Sequence, residues 1–245
     1  MESSDGFVAA PHRVDVEPVR APRMSKKRMV ILDAALTVLL AEGPETNLDR
    51  VATVGGISKA TIYNHFKTKD SLLIEVVRAE LHRTLREVED VIHATISPGV
   101  DARTALCKIS HAWVSALRSE PLMKLRTLVA GHAQRLPALG LVWLEVGPAR
   151  LHDHIGVALV SLSAHSNLRI PDVELAVLQL AGLIVSPHIM YGPFGGGPDP
   201  SATRKLVEAG IDMFLHQYSK GDASPGATIE EDVCWSSSQN ANANS

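Results

Sequence analysis

Between Lys26 and Tyr218 the apolar residues recur three and four positions apart, and nowhere do they alternate over the length of a strand. That spacing gives a helix one apolar stripe and gives a strand no buried face. The chain is therefore expected to be all-α, with about nine helices packed on one another. "KKRMVILDAALTVLLAEG" sets Met29, Ile31, Leu32, Ala35, Leu36, Leu39 and Leu40 on one broad face, and Gly43 and Pro44 stop it. "TNLDRVATVGG" opens with Thr46, with Asp49 three residues on, an approximate capping box that ends at Gly55 and Gly56. Ser58 caps a third, short helix. Thr68 caps a fourth that runs to about Thr95, with Asp70 near its positive end. Further helices are expected at about 100–119, 121–133 and 137–165, the last kinked or divided at Gly147 and Pro148. Pro171 fits the first position of a helix over about 172–190, which Pro187 disturbs near its end. "YGPFGGGPDP" reads as a loop. A final helix over 201–218 turns Leu206, Ile211, Phe214 and Leu215 inward.

Composition narrows the function. The chain has 245 residues, 45% of them hydrophobic, so it can bury a substantial core. Its formal net charge of -3 makes any nucleic-acid surface a local one. Such a region exists: from Arg20 to Asp70, Arg20, Arg23, Lys26, Lys27, Arg28, Arg50, Lys59, Lys67 and Lys69 outnumber Asp33, Glu42, Glu45, Asp49 and Asp70. The two cysteines, Cys107 and Cys234, lie too far apart for a paired metal or redox motif, and the reducing cytoplasm is the expected compartment. Asp5, Asp15 and Glu17 leave the N-terminus without an apolar signal core. The most apolar stretch, Leu175 to Val185, carries Gln179 and Gly182 and reads as a buried helix, so no membrane partner is expected. Residues 1–23 and 220–245 are expected to be disordered. Between them lie a DNA-binding unit over 24–70 and a larger bundle over 71–219.

The stretch "SKATIYNHFKTKD", Ser58 to Asp70, carries the chemistry. Its plainly apolar residues, Ile62 and Phe66, share one helical face. Two short helices joined by a glycine turn form a helix-turn-helix. Ala52 is small where the two helices cross, Gly56 suits a left-handed backbone angle, and Ile57 tucks the turn inward. Leu48, Val51, Ile62 and Phe66 bind the unit to the first helix. Lys59, Ala60, Thr61, Tyr63, Asn64 and His65 are left with no core to enter. A helix in the major groove needs such a face: small residues for close approach, Asn for adenine, methyl groups for thymine, lysines for phosphates.

"TNLDRVATVGGISKATIYNHFKTKDSLL" resembles the DNA-binding signature of the TetR family of bacterial transcriptional regulators over roughly 26–74. The resemblance implies that Tyr63, His65 and Lys69 mostly contact phosphates and that Lys59, Ala60, Thr61 and Asn64 lie nearest the bases. With Thr46 and Lys67 these are the candidate DNA contacts. Gly55 before Gly56 departs from the family pattern, where an apolar residue or Ala is usual, and is expected to loosen the turn. "PLMKLRTLVAGHAQRLPALG" and "GPARLHDHI" are similar to the AefR-like branch. The family further implies a homodimer through the last two helices, about 172–190 and 201–218, and a ligand cavity near Trp113 and Trp143, joined by Met123, Leu128, His132 and His154.

Each feature has a plainer reading. The basic run Arg20, Arg23, Lys26, Lys27 and Arg28 is either an arm for the minor groove or a solubility device. Taken one by one, Trp113 and its companions are more simply explained as core. His152 and His154, two apart, point to opposite sides of a helix, and no carboxylate or thiol completes a metal set with His111, His132, His165 or His188, so neither metal nor cofactor is expected. Cys107 lies on a face expected to be buried and inert. Gly195-Gly196-Gly197 lacks the following Lys-Ser/Thr of a phosphate loop, and no nucleophile or zinc motif supports an enzyme. The expected protein is a ligand-responsive DNA-binding regulator, most simply a repressor on a palindromic operator, released by a small apolar or amphipathic effector. A regulator without an effector, or a helical enzyme or carrier, are the alternatives.

Overall fold

A computed structural model describes residues 25–45, 47–97 and 99–220. Thr46, Arg20, Arg23 and the tail from residue 221 lie outside them, and so do the expectations of disorder at both ends. Lys220 is the exception: its N–H donates to the Asn167 carbonyl. Among the described residues there are eleven α-helical segments and no strand. The excess over nine comes from breaks that the prolines and glycines impose. α7 (Pro137–Leu144) and α8 (Arg150–His165) are joined by a π-helical turn, Glu145–Ala149, that contains Pro148. α9 (Val173–Ile184) stops before Pro187, and α10 (Ser186–Tyr191) continues at a bend of 58°. No single described helix is long and apolar enough to cross a membrane, although α9 with the segment 186–194 would match in length and composition if it were straight.

The remaining elements follow the caps. α1 (Lys26–Glu42) starts from Ser25, whose side chain accepts from the Arg28 N–H. α2 (Leu48–Gly55) is capped by Asn47, not Thr46: the Asn47 side chain accepts from the Asp49 N–H. α3 (Lys59–His65) starts from Ser58, and α4 (Lys69–Thr95) from a capping box in which Thr68 and Ser71 bond each other reciprocally. α5 (Ala102–Leu117) is capped by Asp101 and α6 (Glu120–His132) carries Pro121 in its first turn. Asp172, rather than Pro171, sets the start of α9, because its carboxylate accepts from the Leu175 N–H. α11 (Pro200–Tyr218) is capped by Asp199 and buries Val207, Ile211 and Phe214, while Leu206 and Leu215 are only half-buried. On α1, Met29 is exposed, so the apolar face is narrower than its spacing predicts.

Two cores meet along α4, which at 1.5 Å per residue is roughly 40 Å long. Its first half places Val76, Val77 and Leu81 in a core with Ile31, Val38, Val51, Ile62 and Phe66, and with Leu125, Leu139 and Val142 of α6 and α7. Its second half places Leu85, Val88 and Ile92 in a core with α5, α8, α9 and α11. The helix that follows the helix-turn-helix is thus embedded in both. The π turn also touches it: a Cβ on Gly147 would stand 3.4 Å from the Leu81 side chain.

Candidate nucleic-acid interface

The turn between α2 and α3 has the backbone that the sequence predicts. Gly56 adopts φ 60°, ψ 33°, and its N–H and that of Ile57 close the end of α2 on Ala52 and Thr53. Gly55 does not loosen the turn. A Cβ there would lie 3.1 Å from the Ala34 Cβ, so the missing side chain lets α2 close on α1. Ser58 then accepts from the Thr61 N–H at 3.1 Å and shares a hydrogen bond with the Thr61 hydroxyl at 2.8 Å.

α3 has two sides. Ile62 is 0% exposed and Phe66 3%. Each contributes about 1.5–3 kcal/mol by burial and holds the helix to the core below it. On the other side Lys59, Ala60, Tyr63, Asn64 and Lys67 are exposed, and Thr61, His65 and Lys69 are half-buried at its margins. Eight of the nine candidate contacts are therefore exposed or half-buried, on α3 or just after it, and the ninth, Thr46, is outside the described residues.

The electrostatics of this face differ from the sequence picture in two places. Lys59 is paired with Asp49 of α2, Nζ to carboxylate 3.0 Å. The hydrogen bond holds the Asp49 carboxyl below its ordinary range and raises the Lys59 ammonium above its own. Ten residues separate the two, and no helical period links them. Arg50 is likewise engaged with Glu42, at 2.8 Å. The basic run also divides. Lys26, Lys27 and Arg28 form the first turn of α1; Lys26 and Lys27 are exposed, but Arg28 turns inward to Glu75 at 2.7 Å. A sequence signal for this existed: Arg28 precedes Ile31 and Leu32 by three and four residues and so shares their buried face.

The six candidate ligand residues do not converge. Trp113 is buried in the core of α5, α8, α9 and α11, its ring edge-on to His152 at 5.9 Å. Met123 packs towards Gly192, where a Cβ would meet its Cε at 2.5 Å. Leu128 and Trp143 flank the other core, on α6 and α7. His132 bonds the Leu128 carbonyl of its own helix at 2.8 Å. His154 faces Glu89 at 3.4 Å and the edge of His93, beside a two-pronged Arg150–Glu89 pair at 2.7 and 3.1 Å. Burial lowers the pKa of both His152 and His154. Cys107 is half-buried and burial pushes its thiol up, away from the reactive thiolate. Among the described residues no group of three or more His, Cys, Asp or Glu side chains is placed to hold a metal ion.

Comparison with known proteins agrees with this geometry over both halves of the chain. Residues 31–76 match the family model "Bacterial regulatory proteins, tetR family", and residues 104–220 match "AefR-like transcriptional repressor, C-terminal domain". The chain is 26% identical over 210 residues to the HTH-type transcriptional regulator BetI of Rhizobium meliloti (strain 1021), covering 77% of this chain and 98% of that one. It superposes with a TM-score of 0.75 on a TetR-family transcriptional regulator from Mesorhizobium loti MAFF303099, at 26% identity, covering 79% of this chain and 96% of the other. The flavonoid-responsive regulator FrrA shares the fold at a TM-score of 0.68 and 22% identity, over 80% of this chain and 98% of its own. With a reading head and a helical bundle each matched, the chain belongs to the TetR family of DNA-binding transcriptional regulators.

Proposed function

We propose that the protein is a dimeric repressor that places Ser58–His65 of each subunit in the major groove of a palindromic operator and is released by a small apolar or amphipathic molecule. The observation that carries the reading is the division of α3: Ile62 and Phe66 buried, Lys59, Ala60, Tyr63 and Asn64 in water. Asn64 pairs with adenine, and Thr61, its hydroxyl already bonded to Ser58, offers its methyl group to thymine. Tyr63, His65, Lys67 and Lys69 clamp the phosphates. The repressor sense is supported by the match of residues 104–220 to an AefR-like repressor domain.

Dimerisation through α9–α11 is supported by side chains with no core to enter. Leu175 and Leu178 on α9, Met190 on α10 and Met213 on α11 are all about half exposed or more, as are Val157 and Val160 of α8. Release by an effector is supported by three polar atoms that, among the described residues, are buried without a protein partner: Ser110 Oγ, Ser119 Oγ and His188 Nε2. Such atoms cost about 1–3 kcal/mol each when left unpaired, and a ligand's polar groups would satisfy them. The π turn touching Leu81 gives a bound molecule a route to α4, and through Thr68 to the spacing of the two reading helices. The effector must favour the non-binding spacing, with a typical coupling of about 1–3 kcal/mol.

A second reading, a regulator without a small-molecule effector, is favoured by one observation: the six candidate ligand residues fall in separate places instead of lining one cavity. Selection of duplexes from a random pool, followed by a panel of apolar compounds, separates the two. The proposal expects a palindrome and at least one compound that releases it. A palindrome that no compound releases supports the second reading, and an asymmetric site or no site contradicts both.

A further inference from the structure

Arg28 belongs by sequence to the basic run, yet its surroundings are internal. Its guanidinium carbon lies 4.4 Å from the centroid of the Phe66 ring, the C-cap of the reading helix. Its Nη2 donates to Glu75 Oε2 on α4 at 2.7 Å. The second Glu75 oxygen accepts from Arg78 Nε at 3.3 Å. Arg28 and Glu75 side chains are 27% and 30% exposed. We infer that Arg28 is a positioning residue for DNA reading: it sets the pose of α3 between α1 and α4 without touching the DNA backbone.

The need for such a tie follows from the length of α3. Seven residues do not hold a helix in place by themselves, and its close backbone neighbours lie chiefly in α2. Its pose against α4 is therefore set by side chains. A guanidinium can lie flat on an aromatic ring and still donate from its edge to a carboxylate, which an ammonium cannot do. Arg28 thus joins three elements through one planar group, and Arg78 fixes the carboxylate from the other side. Arg78 leaves the three-residue cluster with one net positive charge, but Arg28 is its less exposed guanidinium and is held by both the ring and the carboxylate. A displacement of α4 at Glu75 moves the guanidinium, and with it Phe66 and the end of the reading helix.

The inference rests on Ser58–His65 being the reading element, and the test keeps the two apart. Full-length wild type, Arg28→Lys, Arg28→Met, Glu75→Gln and Lys69→Ala are titrated against a duplex selected from a random pool and against a random-sequence duplex, over a range of salt. Circular dichroism and thermal unfolding check that each variant is folded. A positioning role predicts that Arg28→Lys and Glu75→Gln each weaken the selected duplex by about three- to tenfold. It also predicts that they weaken the random duplex less, and leave the slope of log affinity against log salt unchanged. A merely structural defect lowers both affinities together and contradicts the role. A phosphate contact predicts the opposite pattern: Arg28→Lys binds as wild type, Glu75→Gln binds more tightly because the guanidinium is freed, and Arg28→Met lowers the slope by about one. Any of these overturns the inference. If Arg28→Met does not fold, the sign of the Glu75→Gln effect still decides. Lys69→Ala lowers the slope by about one if α3 reads DNA, and its failure to do so contradicts the reading element itself.

Discussion

α3 and α9 keep large side chains in water to the same degree and with opposite chemistry. Tyr63 on α3 is 47% exposed, and Leu175 and Leu178 on α9 are 48% and 47% exposed. Around Tyr63 stand Lys59, Asn64 and Ala60, donors and small groups suited to base edges and phosphates. On the same group of helices Met190, Met213, Val157 and Val160 are also exposed, side chains that have nothing to offer a phosphate and much to gain from a second apolar surface. Exposure alone therefore identifies neither partner. That difference in chemistry is the basis for proposing DNA as the partner of α3 and a second copy of the chain as the partner of α9.

The largest expected effect breaks the α3 side. Phe66→Ala removes a buried ring and the platform under Arg28 and costs about 3–5 kcal/mol, measured by denaturant unfolding, with operator binding lost. Leu175→Glu with Leu178→Glu breaks the α9 side. Sedimentation should show monomers, and affinity for a two-half-site duplex should fall far more than affinity for a single half-site. If the double variant stays dimeric, the apolar face has another use. Tyr63→Phe sharpens the comparison: it removes one hydroxyl at the DNA end and should weaken binding to all sequences alike by a few-fold, with oligomeric state untouched. Asp49→Asn frees Lys59 from its partner at 3.0 Å and should tighten DNA binding slightly, an effect that vanishes at high salt.

The smallest effect lies in the bundle. His152 and His154 have pKa values lowered by burial below the ordinary histidine value of 6.5. A histidine held neutral in this way contributes stability that is complete above 6.5 and is lost as the pH falls through 6.5 towards the folded value. The thermal midpoint should drop on acidification below that point, and His152→Gln should make the drop shallower.

The two ends also differ in how far the sequence discloses them. The reading head depends on local rules: Gly56 in the left-handed region, Ser58 at an N-cap, Ile62 and Phe66 four apart. Each is decided within a few residues, so spacing suffices. Where neighbouring residues compete for a helix start, spacing does not choose: Asn47 caps α2 and Asp172 caps α9, each in extended backbone with its side chain accepting an N–H of the first turn. Gly55, Arg28 and the Lys59–Asp49 pair are tertiary facts, set by how α1, α2 and α4 approach one another. The bundle is tertiary almost throughout. Trp113 and Trp143 each sit in an apolar helical stretch, yet they pack against different cores. No period along the chain records that division.

The central claim is that Asn64 and its neighbours read bases in two symmetric half-sites. Parallel selection of random duplexes by wild type and by Asn64→Ala tests it most directly. Wild type should select a palindrome with half-site centres roughly 34–36 Å apart or at a multiple of that spacing. Asn64→Ala should lose preference at one base pair per half-site, symmetrically, at a cost of about 1–3 kcal/mol for each lost contact. An asymmetric wild-type site, or identical preferences for the two proteins, would contradict the account.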